Sequence, residues 1–482
     1  MNNKDKVLKV KLNDLQYRYD VFQMINLYYP FGNIDFVDED FNIKVDVKED
    51  SVYIKYDDKE ETYVINPEYK LKEEIKKSVF KFFKDITKKE LVWGTLIGIR
   101  PSKKALELLE NQFSEEYIIE DFKNRYLTYE EKAKLCIDVA KWERNIVNKD
   151  KNTISIYIGM PFCPTRCAYC SFTSNPISSC KKLVKPYLEC LYKEIDTLSK
   201  YVESHNLNIE CVYFGGGTPT SVNDEEFEET MKKIYEGFVK GKNIREFTVE
   251  CGRPDSITEL KLKSMKKYKV GRISINPQTM NDSTLKLIGR NHNADSVIEK
   301  FNLARKLNFD NINMDMIVGL PGENLQHINK TCEELLKLNP DSITVHGMSI
   351  KRASRLHENI VNNKEFKIPD QNQLNKMYEN TVHLSKELGM KPYYMYRQKN
   401  MVGNMENIGY SKEGKEGIYN VQMIEEKQTI IALGADAVSK VIFLEENRIE
   451  RFGNVKDVRE YIKRIDEMID KKIQLLDTMY SK

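Results

Sequence analysis

From residue 151 onward, six short apolar runs alternate with amphipathic helical stretches. The runs cover 154–158, 211–214, 247–250, 272–275, 312–318 and 342–345. The first stretch between them shows the helical pattern most plainly. Val184, Leu188, Leu191, Ile195, Leu198 and Val202 recur on one face at helical spacing. Strand–helix repeats of this kind specify a parallel sheet with helices outside it. Right-handed crossovers then curl the sheet. The expected fold class is α/β: a partial (β/α)6 TIM-like barrel over 151–365.

Two regions flank that core. Residues 1–150 read as an α+β domain with a helical bridge. Strand-like pieces lie at 7–12, 43–47, 52–56 and 62–65, and the alternation in Val45-Asp46-Val47 and Val52-Tyr53-Ile54 suits half-buried antiparallel strands. Helices are expected over 71–87 and 129–147, the second opened by Thr128 as N-cap. Residues 366–482 read as a mostly helical, substrate-covering region. Helices are expected near 372–388 and 455–480, with a short return to strand within 430–444.

Bulk properties exclude several function classes. Against 76 basic side chains stand 74 acidic ones, for a net charge of +2. A dedicated nucleic-acid binder carries a clear basic excess, so no nucleic-acid partner is expected. Mean hydropathy is −0.57, and no apolar run approaches the ~20 residues of a membrane span. The first residues lead into alternation rather than an apolar signal segment, and a cytoplasmic location is expected.

In a barrel of this class the chemistry gathers at the C-terminal ends of the strands. The unusual residues fall there. Cys163, Cys167 and Cys170 follow the first strand as C-x3-C-x2-C. Gly215-Gly216-Gly217-Thr218-Pro219-Thr220 follows the second, a run that lets backbone approach a ligand and expose N–H groups. Glu250 closes the third strand, placed to accept hydrogen bonds from a ribose or an ammonium group. Gln278 follows the fourth strand, and Arg290 lies beyond it as a partner for a carboxylate. Asp315 interrupts the apolar fifth strand, where an acid is costly unless paired or liganded. His346 and Ser349 follow the sixth.

An iron–sulfur cube normally takes four cysteines, and a loop offering three leaves one iron open. Zinc sites usually pair C-x2-C knuckles, and no partner pair is present. A redox dithiol would use Cys167 and Cys170 but leave Cys163 unexplained. The other six cysteines, Cys136, Cys180, Cys190, Cys211, Cys251 and Cys332, are scattered and read as small buried hydrophobes.

Together these motifs resemble the radical S-adenosylmethionine (SAM) superfamily. More narrowly, they resemble its oxygen-independent coproporphyrinogen III oxidase (dehydrogenase) family, in the longer branch with an extra N-terminal domain. The shared elements are Tyr157-x3-Pro-Phe-Cys-x3-Cys-x2-Cys170, the Gly-Gly-Gly-Thr-Pro-Thr run, Glu250, the Gln278 to Arg290 interval and Asp315-Met-Ile-Val-Gly-Leu-Pro321. The resemblance implies a radical SAM barrel with a [4Fe-4S] cluster held by Cys163, Cys167 and Cys170. It implies SAM contacts at Tyr157, Gly216 and Glu250. It matches Tyr169, Gly217, Thr218, Gln278, Arg290, Asp315 and Ser349 to positions that hold a second SAM. It further implies reductive SAM cleavage and abstraction of a propionate β-hydrogen from a porphyrinogen substrate. Carbon dioxide then leaves and a vinyl group remains. The electron would come from a donor such as flavodoxin or ferredoxin.

The sequence departs from that family in two places. Phe172 stands where the oxidases carry a fourth cysteine, and Gly159 stands where they carry a histidine. The C-x2-C-x-F form also occurs in a haem-chaperone branch, whose C-terminal His-Asn-x-x-Tyr-Trp signature is missing here. A haem carrier and another radical SAM reaction on a porphyrin are therefore the alternatives. The stretch Tyr393-Tyr-Met-Tyr-Arg-Gln-Lys-Asn400 suits either a tetrapyrrole contact through Arg397 and Lys399 or a core strand.

Overall fold

The structure, a computed structural model, describes residues 7–30, 32–170, 174–349, 369–398 and 401–481. It divides into two compact units. One comprises Met1–Ala140, Asp370–Lys376 and Tyr396–Glu406; the other comprises Lys141–Pro369, Met377–Met395 and Asn407–Lys482.

The first unit is built on five strands, β1 (Leu8–Leu12), β2 (Ile34–Phe36), β3 (Ile43–Val47), β4 (Ser51–Tyr56) and β5 (Lys59–Val64), in the order β2-β1-β3-β4-β5. The β3-β4-β5 meander is antiparallel, as the alternation predicts. β1 instead runs parallel to both β2 and β3. A parallel β1–β2 pair needs a crossover, which α1 (Arg18–Tyr28) supplies. No element is among those expected there from the sequence. Helix α2 (Leu71–Thr87) has the bounds its periodicity predicts. Val10, Val45, Ile54, Val79 and Phe83 are fully buried in the shared core. Helices α3 (Ser102–Glu110), α4 (Glu115–Tyr126) and α5 (Glu130–Ile146) follow.

The second unit holds the strand–helix alternation. Its strands are β6 (Thr153–Met160), the two-residue β7 (Phe162–Cys163) and β8 (Asn175–Pro176), then β9 (Asn208–Gly216), β10 (Glu246–Gly252), β11 (Arg272–Ile275), β12 (Ile312–Val318) and β13 (Ser342–Gly347). Between them run α6 (Ile177–Ser204), α7 (Asp224–Ile234), α8 (Glu259–Lys267), α9 (Asp282–Leu287), α10 (Ala294–Lys306) and α11 (Leu325–Leu338). The strands β6, β9, β10, β11, β12 and β13 are neighbours in that order, and every pair is parallel. All six expected strands are present. This single winding directs every C-terminal strand end to one side.

Residues beyond 366 contribute helices at Gln371–Glu387, Ile418–Glu425, Val458–Lys463 and Ile465–Tyr480. They also contribute five strands, more than the one short return expected: β14 (Lys391–Tyr396), β15 (Asn407–Ser411), β16 (Thr429–Leu433), β17 (Val438–Phe443) and β18 (Arg448–Gly453). β15 pairs antiparallel with β13. β16 lies parallel to β6, with Ile431 opposite Ile156. The result is an eleven-stranded sheet, β14-β15-β13-β12-β11-β10-β9-β6-β16-β17-β18. Among the described residues no helix is long and apolar enough to cross a membrane.

A buried ion pair fastens this C-terminal addition to α6. Glu194 and Lys472 are both fully buried, and Lys472 Nζ donates to Glu194 Oε1 and to the Ala432 carbonyl. Glu194 also accepts from Tyr461 Oη at 2.6 Å, Gly434 N at 2.8 Å and Asn454 Nδ2 at 2.9 Å. Burial pushes the Lys472 pKa down and the Glu194 carboxylate opposes that. Removing one member of such a pair strands the other charge, which costs roughly 3–5 kcal/mol. Lys472→Met is expected to lower stability by about that amount, read from the urea midpoint at unchanged m-value. Lys472→Met combined with Glu194→Gln should recover part of the loss.

Candidate functional site

The cysteine loop is anchored where β6 and β9 end. Past the strands, Gly217 N donates to the Met160 carbonyl at 2.6 Å and Thr218 N to the Phe162 carbonyl at 2.8 Å. A Cβ on Gly217 would come within 2.6 Å of the Phe162 carbonyl and 2.9 Å of Cys163 Sγ, so the close approach demands glycine. Gly216 adopts φ +104°, a conformation that disfavours any other residue. On the other side of the loop, Asn175 N and Nδ2 both donate to the Pro161 carbonyl.

Cys163 is buried, while Cys167 and Cys170 are half-buried. Thr218 Oγ1 donates to Cys163 Sγ at 3.5 Å. Burial pushes the Cys163 thiol up to about 12, with the charges of Cys170 and Cys167 adding to the rise against the Thr218 hydrogen bond. Such a thiol ionises when a metal replaces its proton. Among the described residues no three His, Cys, Asp or Glu side chains gather to hold a single metal ion. A cube places its ligating sulfurs on different irons, so it does not need them inside one coordination sphere. The donor set fits a cluster rather than a zinc ion.

Behind the glycine run sits Glu250. Tyr213 Oη donates to its Oε1, and Gly216 N donates to its Oε2 at 3.3 Å. Burial raises its carboxyl to about 7; the Tyr213 hydrogen bond opposes the rise and the Asp315 charge adds to it. Three tyrosines line the adjoining interior. Tyr213 stacks on Tyr419 at 4.4 Å, and both lie 6.2 Å from Tyr157. Tyr419 comes from the helix Ile418–Glu425, whose first N–H groups at Ile418 and Tyr419 donate to buried Glu246. Arg272 opens β11, is only 2% exposed, and donates to Ser342 Oγ.

Two further groupings lie at the same strand ends. Arg290 is 6% exposed. It donates to Tyr169 Oη at 3.0 Å, to the Gly252 carbonyl at 3.0 Å and to the Asn276 carbonyl at 2.8 Å. It is a buried strut, not a surface cation. Gln278, at φ +66°, bridges to β12: its N–H donates to the Asp315 carbonyl and its carbonyl accepts from Ile317 N. Asp315 accepts from Asn313 Nδ2 at 2.7 Å and faces His346 Nε2 at 3.6 Å. Burial pushes its carboxyl up, but His346, Asn313 and Thr344 prevail and hold it below the usual range. Ser349 is half-buried just past β13.

Of the other residues singled out in the sequence, Phe172 and Lys399 lie outside the described residues. Tyr393, Tyr394 and Met395 are buried, which favours the core-strand alternative for that stretch. Arg397, 3% exposed, spends its guanidinium on the Leu96 and Asn404 carbonyls. Cys136, Cys211 and Cys251 are buried as expected, and Cys180, Cys190 and Cys332 are half-buried. The sequence reading missed Tyr213, Tyr419, Arg253 and Arg272. Tyr213 was within reach, because it shares the strand face of Gly215. Arg253, three residues past Glu250, was another strand-end residue. Tyr419 carried no local signal.

The family model described as the radical SAM superfamily matches residues 157–335. The oxygen-independent coproporphyrinogen-III oxidase-like protein HemZ of Bacillus subtilis (strain 168) is 42% identical over 393 residues, which is 81% of this chain and 78% of that protein. The heme chaperone HemW of the same organism is 30% identical over 314 residues, 65% of this chain and 76% of that protein. Among solved structures, the Escherichia coli coproporphyrinogen III oxidase HemN, a radical SAM enzyme, superposes with a TM-score of 0.52. It shares 19% identity and covers 68% of this chain and 72% of that one, a likeness of fold alone.

The Glu250 carboxyl carries a pH signature. Its folded pKa of about 7 exceeds the unfolded 4.5, so the folded state binds the extra proton between those values. Stability on this group's account is therefore greatest below about 4.5 and falls as pH rises to about 7, by up to ~3 kcal/mol. The difference in unfolding free energy between the protein and Glu250→Gln should follow that curve in urea titrations from pH 4.5 to 8. A pH-independent difference would contradict it.

Proposed function

Because the chain belongs to the radical SAM superfamily, within its oxygen-independent coproporphyrinogen III oxidase-like family, we propose that it oxidatively decarboxylates the propionates of coproporphyrinogen III to vinyl groups, giving protoporphyrinogen IX. Its cofactors are a [4Fe-4S] cluster and SAM. Cys163, Cys167 and Cys170 are the proposed ligands of the cluster. When bound, the reduced cluster and SAM would supply hydrogen-atom abstraction at a substrate propionate; the carbon radical left behind would release carbon dioxide, pass one electron to an acceptor and become the vinyl group.

The chain's own residues bind and orient. Glu250, ionised, receives the SAM ammonium group, while Gly216 and Tyr157 flank it. Tyr213 holds Glu250 in place by its hydrogen bond. Tyr169, Gly217, Thr218, Gln278, Arg290, Asp315 and Ser349 are proposed to form a second SAM position. The stack of Tyr157, Tyr213 and Tyr419 fills the interior beneath and keeps water out. The electron arrives from a one-electron donor such as a flavodoxin or ferredoxin, and the setting is cytoplasmic.

The observation that carries this reading is the Arg290 strut. It joins Tyr169 of the cysteine loop to the ends of β10 and β11, which supports the grouping of Tyr169 and Arg290 in one proposed SAM position. Identity to the HemZ-type relative over 81% of the chain supports it, since that match extends well beyond the barrel. A second reading, a haem chaperone, is favoured by the 30% identity to HemW and by Phe172 in place of a fourth cysteine.

Anaerobic reconstitution followed by addition of dithionite, SAM and coproporphyrinogen III separates the two. Mono- and divinyl products with 5′-deoxyadenosine are expected. 5′-Deoxyadenosine without vinyl product would reject the decarboxylase, and tight haem binding without SAM cleavage would establish the carrier. Cys167→Ala should lose the cluster and all SAM cleavage. Since an ammonium ligand needs the carboxylate, SAM affinity should rise as pH passes upward through about 7. Glu250→Gln should flatten that dependence and weaken SAM binding about tenfold, the scale of one charge-assisted hydrogen bond. Isothermal titration calorimetry would show both.

A further inference from the structure

Arg253 lies just past β10, on the side of the cysteine loop that the glycine run does not touch. Its side chain is 5% exposed. Asp255 grips the guanidinium by two bonds, Nε to Oδ1 at 2.9 Å and Nη2 to Oδ2 at 2.7 Å. The remaining nitrogen, Nη1, faces the cysteine loop. It donates to Thr165 Oγ1 at 2.9 Å, reaches the Thr165 carbonyl at 3.4 Å, and lies 3.8 Å from Cys167 Sγ. Thr165 sits midway in the C-x3-C interval, and its own hydroxyl donates to the Gly289 carbonyl at 3.0 Å.

A neutral donor would suffice to tether Thr165. Burying a guanidinium for that purpose is costly and calls for a carboxylate to accompany it. What the charge adds is a positive group and an N–H beside one sulfur of the loop. Hydrogen bonds to ligating sulfurs and local net charge are what set the potential of an iron–sulfur cluster. The neighbouring groups fit such a role. His292 Nδ1 lies 3.9 Å from Asp255 Oδ1. Burial, aided by Arg290, lowers the imidazole pKa to about 3, so it adds no charge. Asp255, 21% exposed, is the charge that partly offsets Arg253.

We propose that Arg253 is a positioning residue that sets the reduction potential of the cluster through Cys167, with Asp255 as its counterweight. This rests on the assignment of Cys163, Cys167 and Cys170 as cluster ligands. A positive donor favours the more negative, reduced cluster and makes it easier to reduce. The two members of the pair therefore act in opposite directions.

The test is an anaerobic redox titration of the reconstituted full chain without SAM, followed by electron paramagnetic resonance, with iron and sulfide contents measured alongside. Arg253→Gln should lower the equilibrium constant for one-electron reduction about tenfold, ~59 mV for a single-electron couple. Asp255→Asn should raise it, and Arg253→Lys should fall between Arg253→Gln and the unaltered protein. Potentials within about twofold of the unaltered protein in both Arg253→Gln and Asp255→Asn, or shifts of the same sign, would overturn the proposal. Loss of the cluster from both would also overturn it, leaving the pair a scaffold for the loop. A cluster retained at full iron content in Cys167→Ala would instead overturn the ligand assignment itself.

Discussion

Everything at the candidate site hangs on the seam where β6 and β9 run past their ordinary ends. Strand pairing there continues from Gly159–Gly215 and Met160–Gly216 into the two bonds from Gly217 N and Thr218 N. Those bonds fix the backbone of Met160 and Phe162, and Cys163 is the next residue. The approach is too close for any side chain at position 217. One structural fact therefore explains both the glycine run and the placement of the cysteines. Gly216 N, freed by its positive φ, turns to Glu250 and joins the third strand to the same seam.

The interior below the seam separates two carboxylates that sequence alone treats alike. Glu250 receives a tyrosine and one backbone N–H, which do not compensate for its burial, and its pKa rises to about 7. Asp315 is equally enclosed but has a histidine, an asparagine and a threonine around it, and its pKa falls. The Asp315 charge is itself one cause of the Glu250 rise. A pair driven apart in this way yields one group that stays ionised and one that responds to a cationic ligand near neutral pH. The Tyr213 hydroxyl is the link, since it fixes the Glu250 orientation while its ring stacks against Tyr419.

Much of this was legible because parallel strands buried on both faces must be continuous apolar runs. Such runs are easy to find, and the residues that break their chemistry fall at their ends. Asp315 stood out for that reason, as did Glu250 and the glycines. Pairing at long sequence separation was not legible. Ile431 meets Ile156 across some 270 residues, and no local pattern in 429–433 distinguishes a parallel partner of β6 from any buried strand. The same holds for the helix Ile418–Glu425, whose Tyr419 completes the interior stack. Arg290 was placed in sequence but not in environment, because a lone arginine after a loop reads equally well as surface.

The addition of β16 changes what the first strand is. A barrel strand at the open edge of a six-stranded sheet would expose its backbone groups and fray. Here β6 is interior, held by β9 on one side and β16 on the other. The strand that leads directly into the cysteine loop is thus among the most constrained in the unit. The buried Glu194–Lys472 network secures that arrangement, because Gly434 N and the Ala432 carbonyl, at the end of β16, are both tied into it. Tyr187 carries the constraint onward: it packs on Tyr461, which bonds Glu194, and donates its own hydroxyl to the Gly159 carbonyl at 2.6 Å. A Cβ on Gly434 would come within 2.5 Å of that same carbonyl, so glycine is required at position 434. The Gly159 carbonyl is thus enclosed by Tyr187 and by the turn that follows β16. A Cβ at position 159 itself would meet nothing closer than 3.4 Å, so the tight approach constrains Gly434 rather than Gly159.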